Sequence, residues 1–328
     1  GRLCCQGLMP NVVPDSGDDP VFQSIDCSLW WIEMLGLYVE ATQDWDFLIE
    51  QYAVVKQIYK AFIAGTLHAI RIDASDGLIT WDDDSVALTW MNTTIDGKPV
   101  TPRNGKPIEV NALWYSALSW ASDWALKLAQ LPSPYSVERL QNQANRYQQQ
   151  AAQVRASLQR FWNPKRGYLF DRIKPDDRLD GTIRPNAVLA LSLHHCAFSP
   201  EIAASVLQVA SDRLLTPYGL RSLDPADSAY IGRCKGNPYQ RDLAAHQGTV
   251  WSWLLGPFLR AWVRTHAEDN PPIDLQPLLT HFEEHVCLNA ISELFDGDDP
   301  HQPQGCVASA IAIAELLRCW HLNPSKRP

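Results

Sequence analysis

The chain has 328 residues, 46% of them hydrophobic, enough to bury the core of one large domain or two ordinary ones. Its 28 basic and 37 acidic residues leave a net charge of −9 with no basic stripe, which argues against nucleic acid and anionic membrane as partners and suits a neutral ligand. The eight cysteines show neither metal-ligand nor disulfide spacing, which points to free thiols in a reducing cytoplasm and to no metal or cofactor. Even the apolar run 251–263 is broken by Gly256, Pro257 and Arg260, so no stretch spans a bilayer.

Helical periodicity predicts helices over 25–41, 44–64, 109–130, 136–161, 185–194, 199–214, 247–266, 273–286 and 305–320. Start signals support several of them: Ser199 stands before Pro200 and Glu201, and Ser136 stands two residues ahead of Glu138. Helices starting near 25, 109, 185, 247 and 305 are apolar on more than one face, whereas 44–64 and 136–161 each have a wet face. The Gln-rich run 141–153 reads as part of such a solvated face. Alternation of this kind fits an all-α barrel, with inner helices touching two neighbours and an outer ring. Two separate helical bundles are the alternative, but no Ser- or Gly-rich linker divides them, so the expectation is one domain over 1–328. The long loops 73–108 and 216–246 would gather at one rim, where loops of that length usually carry function.

Four clusters in those loops offer chemistry. The first runs from Thr89 to Tyr115 and combines Trp90, Asn92, Arg103, Glu109 and Trp114 with Pro99, Pro102 and Pro107. Gly181–Asn186 adds Arg184 at a helix start, and Ala245–Trp253 places His246, Gln247 and Trp251 at the start of the helix predicted over 247–266. Ile291–Asp299 sets Glu293 among apolar residues on a short loop, the setting of a tuned acid or base. Three sharper motifs carry less weight. His281–His285 matches a zinc-binding spacing but lies on an outer helix, Asn92-Thr93-Thr94 is a glycosylation sequon with no leader before it, and Asp296–Asp299 lacks the spacing of a calcium loop.

In order along the chain stand Pro10–Gly17, Ile25-Asp26-x-x-Leu29-Trp30, Leu88-Thr89-Trp90-Met91, Thr101-Pro102-Arg103, Glu109-x-Asn111-Ala112-Leu113-Trp114-Tyr115 and Arg184-Pro185-Asn186. Pro217-Tyr218-Gly219-Leu220-Arg221, His246-Gln247-Gly248-Thr249-Val250-Trp251, Ser292-Glu293-Leu294-Phe295-Asp296-Gly297 and Gly305-Cys306 follow. From end to end this series resembles the C-terminal amylo-α-1,6-glucosidase domain of bacterial glycogen debranching enzymes. The resemblance implies an (α/α)6 toroid of six inner and six outer helices that hydrolyses α-1,6-glucosidic branch points of glycogen and limit dextrin with inversion.

Inversion needs one carboxyl to protonate the leaving oxygen and another, roughly 6.5–9.5 Å away, to activate water. The resemblance gives Glu293 the general-base position. It also places Asn92 where the family has an aspartate, the general acid, and a carboxamide has no proton to give. Loss of that help costs about 10²–10⁴-fold unless Asp82, Asp83, Asp84 or Asp96 takes over. By the same resemblance Asp26, Glu109, Arg184, His246 and Gln247 would bind sugar, Trp30, Trp90 and Trp251 would wall the subsite, and Arg103 would brace or contact the substrate. Structural roles compete for each: Asp26 as a helix cap, Trp30 and Trp251 as core, Arg184 in an ion pair, His246 as a capping histidine.

Family members carry an earlier helical segment and a β-rich N-terminal domain. Neither is found in a chain that opens at Gly1 without Met, so the toroid is expected to lack its first helices, on the same gene or supplied by a separate polypeptide. Two further readings stay open: a non-catalytic glucan-binding or regulatory domain, and another α/α-toroid glycosidase of glucoamylase or trehalase type.

Overall fold

The computed structural model describes residues 1–266 and 270–320; residues 321–328, the end of the expected domain, lie outside the described residues. Among the described residues ten helices carry the architecture: α1 Asp26–Thr42, α2 Trp45–Ala64, α3 Ile108–Leu128, α4 Val137–Leu158, α5 Asn186–Ser192, α6 Pro200–Arg213, α7 Pro238–Ala244, α8 Leu255–Thr265, α9 Gln276–Glu284 and α10 Ala310–Trp320. Among the described residues, α1, α3, α5, α8 and α10 pack side by side in that order and form the inner layer of an α/α toroid.

Burial follows composition. Every residue of α5 is buried and α3 buries residues on all its faces, because inner helices meet neighbours all round. Outer helices bury one stripe: Leu48, Tyr52, Val55, Ile58 and Phe62 on α2, and Leu140, Ala144, Tyr147, Ala151, Val154 and Leu158 on α4. The pairing of α3 with α4 and of α1 with α2 joins these stripes to one continuous core. Helix starts obey local chemistry. Asp44 accepts a hydrogen bond from the Phe47 amide at 3.0 Å, and Ser199 accepts one from Ile202 at 3.4 Å, caps worth about 1 kcal/mol each.

The structure corrects the helix predicted over 247–266. Val250–Trp251 is a strand, Ser252–Leu254 a single 3₁₀ turn, and α8 begins only at Leu255. Tertiary pairing explains the difference. Val250 and Trp251 lie between Gly219–Arg221 and Leu294–Phe295 in a five-stranded antiparallel sheet completed by Leu215–Thr216 and Pro303–Gln304. Gly248, with φ of 146°, makes the bend that lets the chain enter the sheet. The helix expected from 305 likewise starts at Ala310, since residues 303–304 are the sheet's last strand and Gly305 takes φ of 68°. Helix α7, absent from the expected set, is short and starts with a capping box between Asn237 and Gln240.

Candidate active site

The two ends of the inner arc, α1 and α10, frame a cleft of about 1420 Å³. Asp26, Trp30, Trp90, Asn92 and Trp253 line it, so four of the residues singled out in the sequence come together there. Asp26 sits in the first turn of α1, 4% exposed; its Oδ2 accepts the Trp90 amide at 2.7 Å and its Oδ1 accepts the Ser24 hydroxyl. Burial holds its carboxyl above the ordinary aspartate range, while the Ser24 and Trp90 hydrogen bonds work in the opposite direction. Asp26 thereby ties α1 to the loop that presents Trp90 and Asn92.

Trp90 is held from both sides. Its indole N–H donates to Asn186 Oδ1 at 2.7 Å, and its ring meets Trp251, Trp253 and His246 edge-on at 5.3–5.4 Å between centroids. His246 stacks on Trp251 with centroids 4.9 Å apart and planes 4° from parallel. Only 1% exposed, His246 has no protein hydrogen-bond partner at either ring nitrogen. Burial, with Arg184 and Arg103 nearby, pushes its pKa down to about 3, so the ring is neutral at ordinary pH.

Glu293 approaches from the sheet. Its backbone carbonyl accepts from the Ser252 amide at 3.2 Å, between the two tryptophans that touch Trp90, and its amide donates to Cys306 O at 2.8 Å. The carboxylate Oε2 accepts the Cys306 amide at 3.1 Å. A side chain at Gly305 would meet that oxygen at 2.8 Å, which explains a glycine there. Glu293 is only half-buried, which leaves its carboxylate within reach of solvent.

The remaining sequence candidates have their polar atoms taken by the protein. Arg103 donates to both oxygens of Glu109, which is 1% exposed, and to Asp171 Oδ2 at 2.9 Å and Oδ1 at 3.1 Å. Arg184 donates to the carbonyls of Ser222 at 3.0 Å and His246 at 2.6 Å and to Gln247 Oε1 at 2.8 Å. Gln247 in turn donates to Val100 O at 3.3 Å, which pins the rim loop. The indole N–H of Trp251 donates to Ala245 O at 2.8 Å. Asp171, missed in the sequence, unites this layer: it takes Arg103 and also accepts from Asn186 Nδ2 at 2.7 Å. No motif marks it, and only its partners identify it. Asp82 pairs with Arg71 at 2.7 Å, Asp83 accepts from Ser85, Asp84 is exposed, and Asp96 occupies a hairpin turn; none of the four is among the residues lining the cleft.

The amylo-alpha-1,6-glucosidase family profile matches residues 1–318. The chain belongs to that family. A relative of this amylo-α-1,6-glucosidase-family domain is the glycogen debranching enzyme of Saccharomyces cerevisiae, 31% identical over 237 residues; the match covers 62% of this chain and 15% of the yeast protein. Among solved structures, a sialidase superposes with a TM-score of 0.63 at 13% identity, over 88% of this chain and 25% of that one. An uncharacterized conserved protein from Thermus thermophilus superposes at 0.61 and 13% identity, over 96% and 83%. These two likenesses concern the fold. Among the described residues no group of His, Cys, Asp and Glu is arranged to hold a metal, and no helix is long and apolar enough to cross a membrane. His281 instead accepts the Ser292 amide at 3.2 Å.

Proposed function

We propose that this domain is an inverting glucosidase of the debranching type, acting on α-1,6-glucosyl stubs of glycogen or limit dextrin. The observation that carries the reading is Glu293: a half-buried carboxylate, oriented by the Cys306 amide and joined through Ser252 to the tryptophans around Trp90. As general base, Glu293 takes a proton from the water that attacks C1, while Trp30 and Trp90 wall the sugar. Asn92 stands in the general-acid position and slows departure of a sugar alkoxide. The chain's eight free thiols favour a reducing cytoplasm. The cleft between α1 and α10 favours further helices at that edge, on the same chain or on a separate polypeptide; Met34, Phe47 and Ile311 are exposed apolar residues around it.

The test is proton NMR of α-glucosyl fluoride turnover, whose leaving group needs little protonation. The expected product is β-glucose before mutarotation, with release slowed about 10²–10⁴-fold by Glu293→Gln. Initial α-glucose, or turnover by Glu293→Gln within about tenfold of the natural chain, would remove Glu293 from the base position.

A further inference from the structure

We propose that Asp171 is a positioning residue that fixes the ring of Trp90 in the cleft wall through the side chain of Asn186. Its effect on sugar affinity rests on the reading that Trp90 walls a sugar; the hydrogen-bonded link does not. Trp90 lines the cleft and Asp171 does not. Asp171 Oδ1 accepts Asn186 Nδ2 at 2.7 Å, and Asn186 Oδ1 accepts the Trp90 indole N–H at 2.7 Å.

Polarity makes this chain directional. A carboxylate only accepts and an indole N–H only donates, so a carboxamide between them satisfies both in one orientation alone. Met91 Sδ, 3.7 Å from Asn186 Nδ2, is a weak second acceptor for the same N–H group. Asp171 is itself held firmly: its amide donates to Asp180 O at 2.8 Å, its carbonyl accepts the Ile108 amide at 3.0 Å, and Arg103 donates to both carboxylate oxygens. Asn186, the first residue of α5, is fully buried, so bulk solvent does not compete for its carboxamide.

Trp90 therefore has two separate holds. Asp26 Oδ2 takes its backbone amide at 2.7 Å, and Asn186 takes its ring. The first sets where the residue sits; the second sets how the indole turns against Trp251 and Trp253, whose planes it meets at 86° and 90°. Asp171→Asn reverses the chain. Arg103 can only donate, so the new carboxamide turns its oxygen to Arg103 and its NH2 to Asn186. Asn186 then rotates to accept, and its own NH2 faces the indole N–H, donor against donor. Exchanging the pair, Asp171→Asn with Asn186→Asp, restores both links in the opposite sense: the carboxamide at 171 donates to the carboxylate at 186, which also accepts the indole N–H.

The experiment follows the Trp90 indole N–H by nitrogen-resolved proton NMR of the intact chain, identified by its loss in Trp90→Phe, together with kcat and KM on α-glucosyl fluoride. In Asp171→Asn the resonance is expected to move upfield, and KM to rise about 2- to 10-fold with kcat within about twofold. The exchanged pair should return both to the natural values. In the Trp90→Phe background Asp171→Asn should leave KM unchanged while still lowering stability in urea, which separates positioning from a merely structural role. A resonance unmoved by Asp171→Asn, or a KM loss that persists in full without the indole, overturns the proposal; so does an exchanged pair that fails to fold or lacks the resonance. Should Asp171→Asn not fold by circular dichroism, the exchanged pair decides alone. Absence of fluoride turnover by the natural chain instead sinks the glucosidase reading, and the resonance still decides the link.

Discussion

Arg103 and Asn92 belong to the same loop, yet Arg103 spends its guanidinium on Glu109 and Asp171 in a buried cluster, whereas Asn92 faces the cleft with its amide unengaged. The buried layer, which also includes Arg184, Gln247 and Asn186, is a closed set of donors and acceptors that holds the rim loops in register. Outside that set, Asn92 lines the cleft with a carboxamide that no described protein group engages, His246 is buried with both ring nitrogens unpaired, and Glu293 is half-buried. Motif residues thus divide by hydrogen bonding into a buried set closed on the protein and a set whose polar atoms are not taken up by it.

Substitutions on the two sides of that division should fail in different ways. Glu293→Gln is expected to cost about 10²–10⁴-fold in kcat on α-glucosyl fluoride while stability in urea stays within about 1 kcal/mol; a large stability loss would erase the division. Arg103→Met should do the opposite first, losing about 3–5 kcal/mol in urea unfolding, because Glu109 and Asp171 are left as uncompensated buried charges. A loss below about 1 kcal/mol would show that the cluster does not carry the rim.

His246 sharpens the comparison through pH. Its pKa is about 3 in the folded protein against about 6.5 when unfolded, so between those values the unfolded chain binds the extra proton and stability rises with pH. The slope from this one group reaches at most about 1.4 kcal/mol per pH unit, and His246→Phe should flatten the dependence of Tm across that window. An unchanged slope would mean that the ring finds a proton-stabilising partner. The smallest effect is expected for Trp90→Phe, which removes the indole donor to Asn186 and should cost about 0.5–1.5 kcal/mol in urea unfolding.

Much of the molecule was legible along the chain because its signals are local. The 3.6-residue period marked eight of the ten helices to within a few residues at most ends, and capping residues such as Asp44 and Ser199 act on amides only three positions away. Glu293 stood out as a carboxylate among apolar residues on a short loop, and Trp90 by its place in the segment from Thr89 to Tyr115.

What the sequence by itself determined was the alternation of apolar and amphipathic helices, hence the two-layer toroid, and the chemical inventory of its rim. Only the tertiary structure decided that residues 250–251 are extended, since an apolar Val-Trp pair serves a helix or a strand equally well until strands from distant positions meet it. Only the tertiary structure revealed Asp171, 68 residues from Arg103, as the partner that closes the buried layer. It also settled that Arg103, Arg184 and Gln247 spend their hydrogen bonds on the protein while Asn92 does not. A side chain's identity sets which bonds it can make; which of them remain for a ligand depends on neighbours that the fold alone assembles.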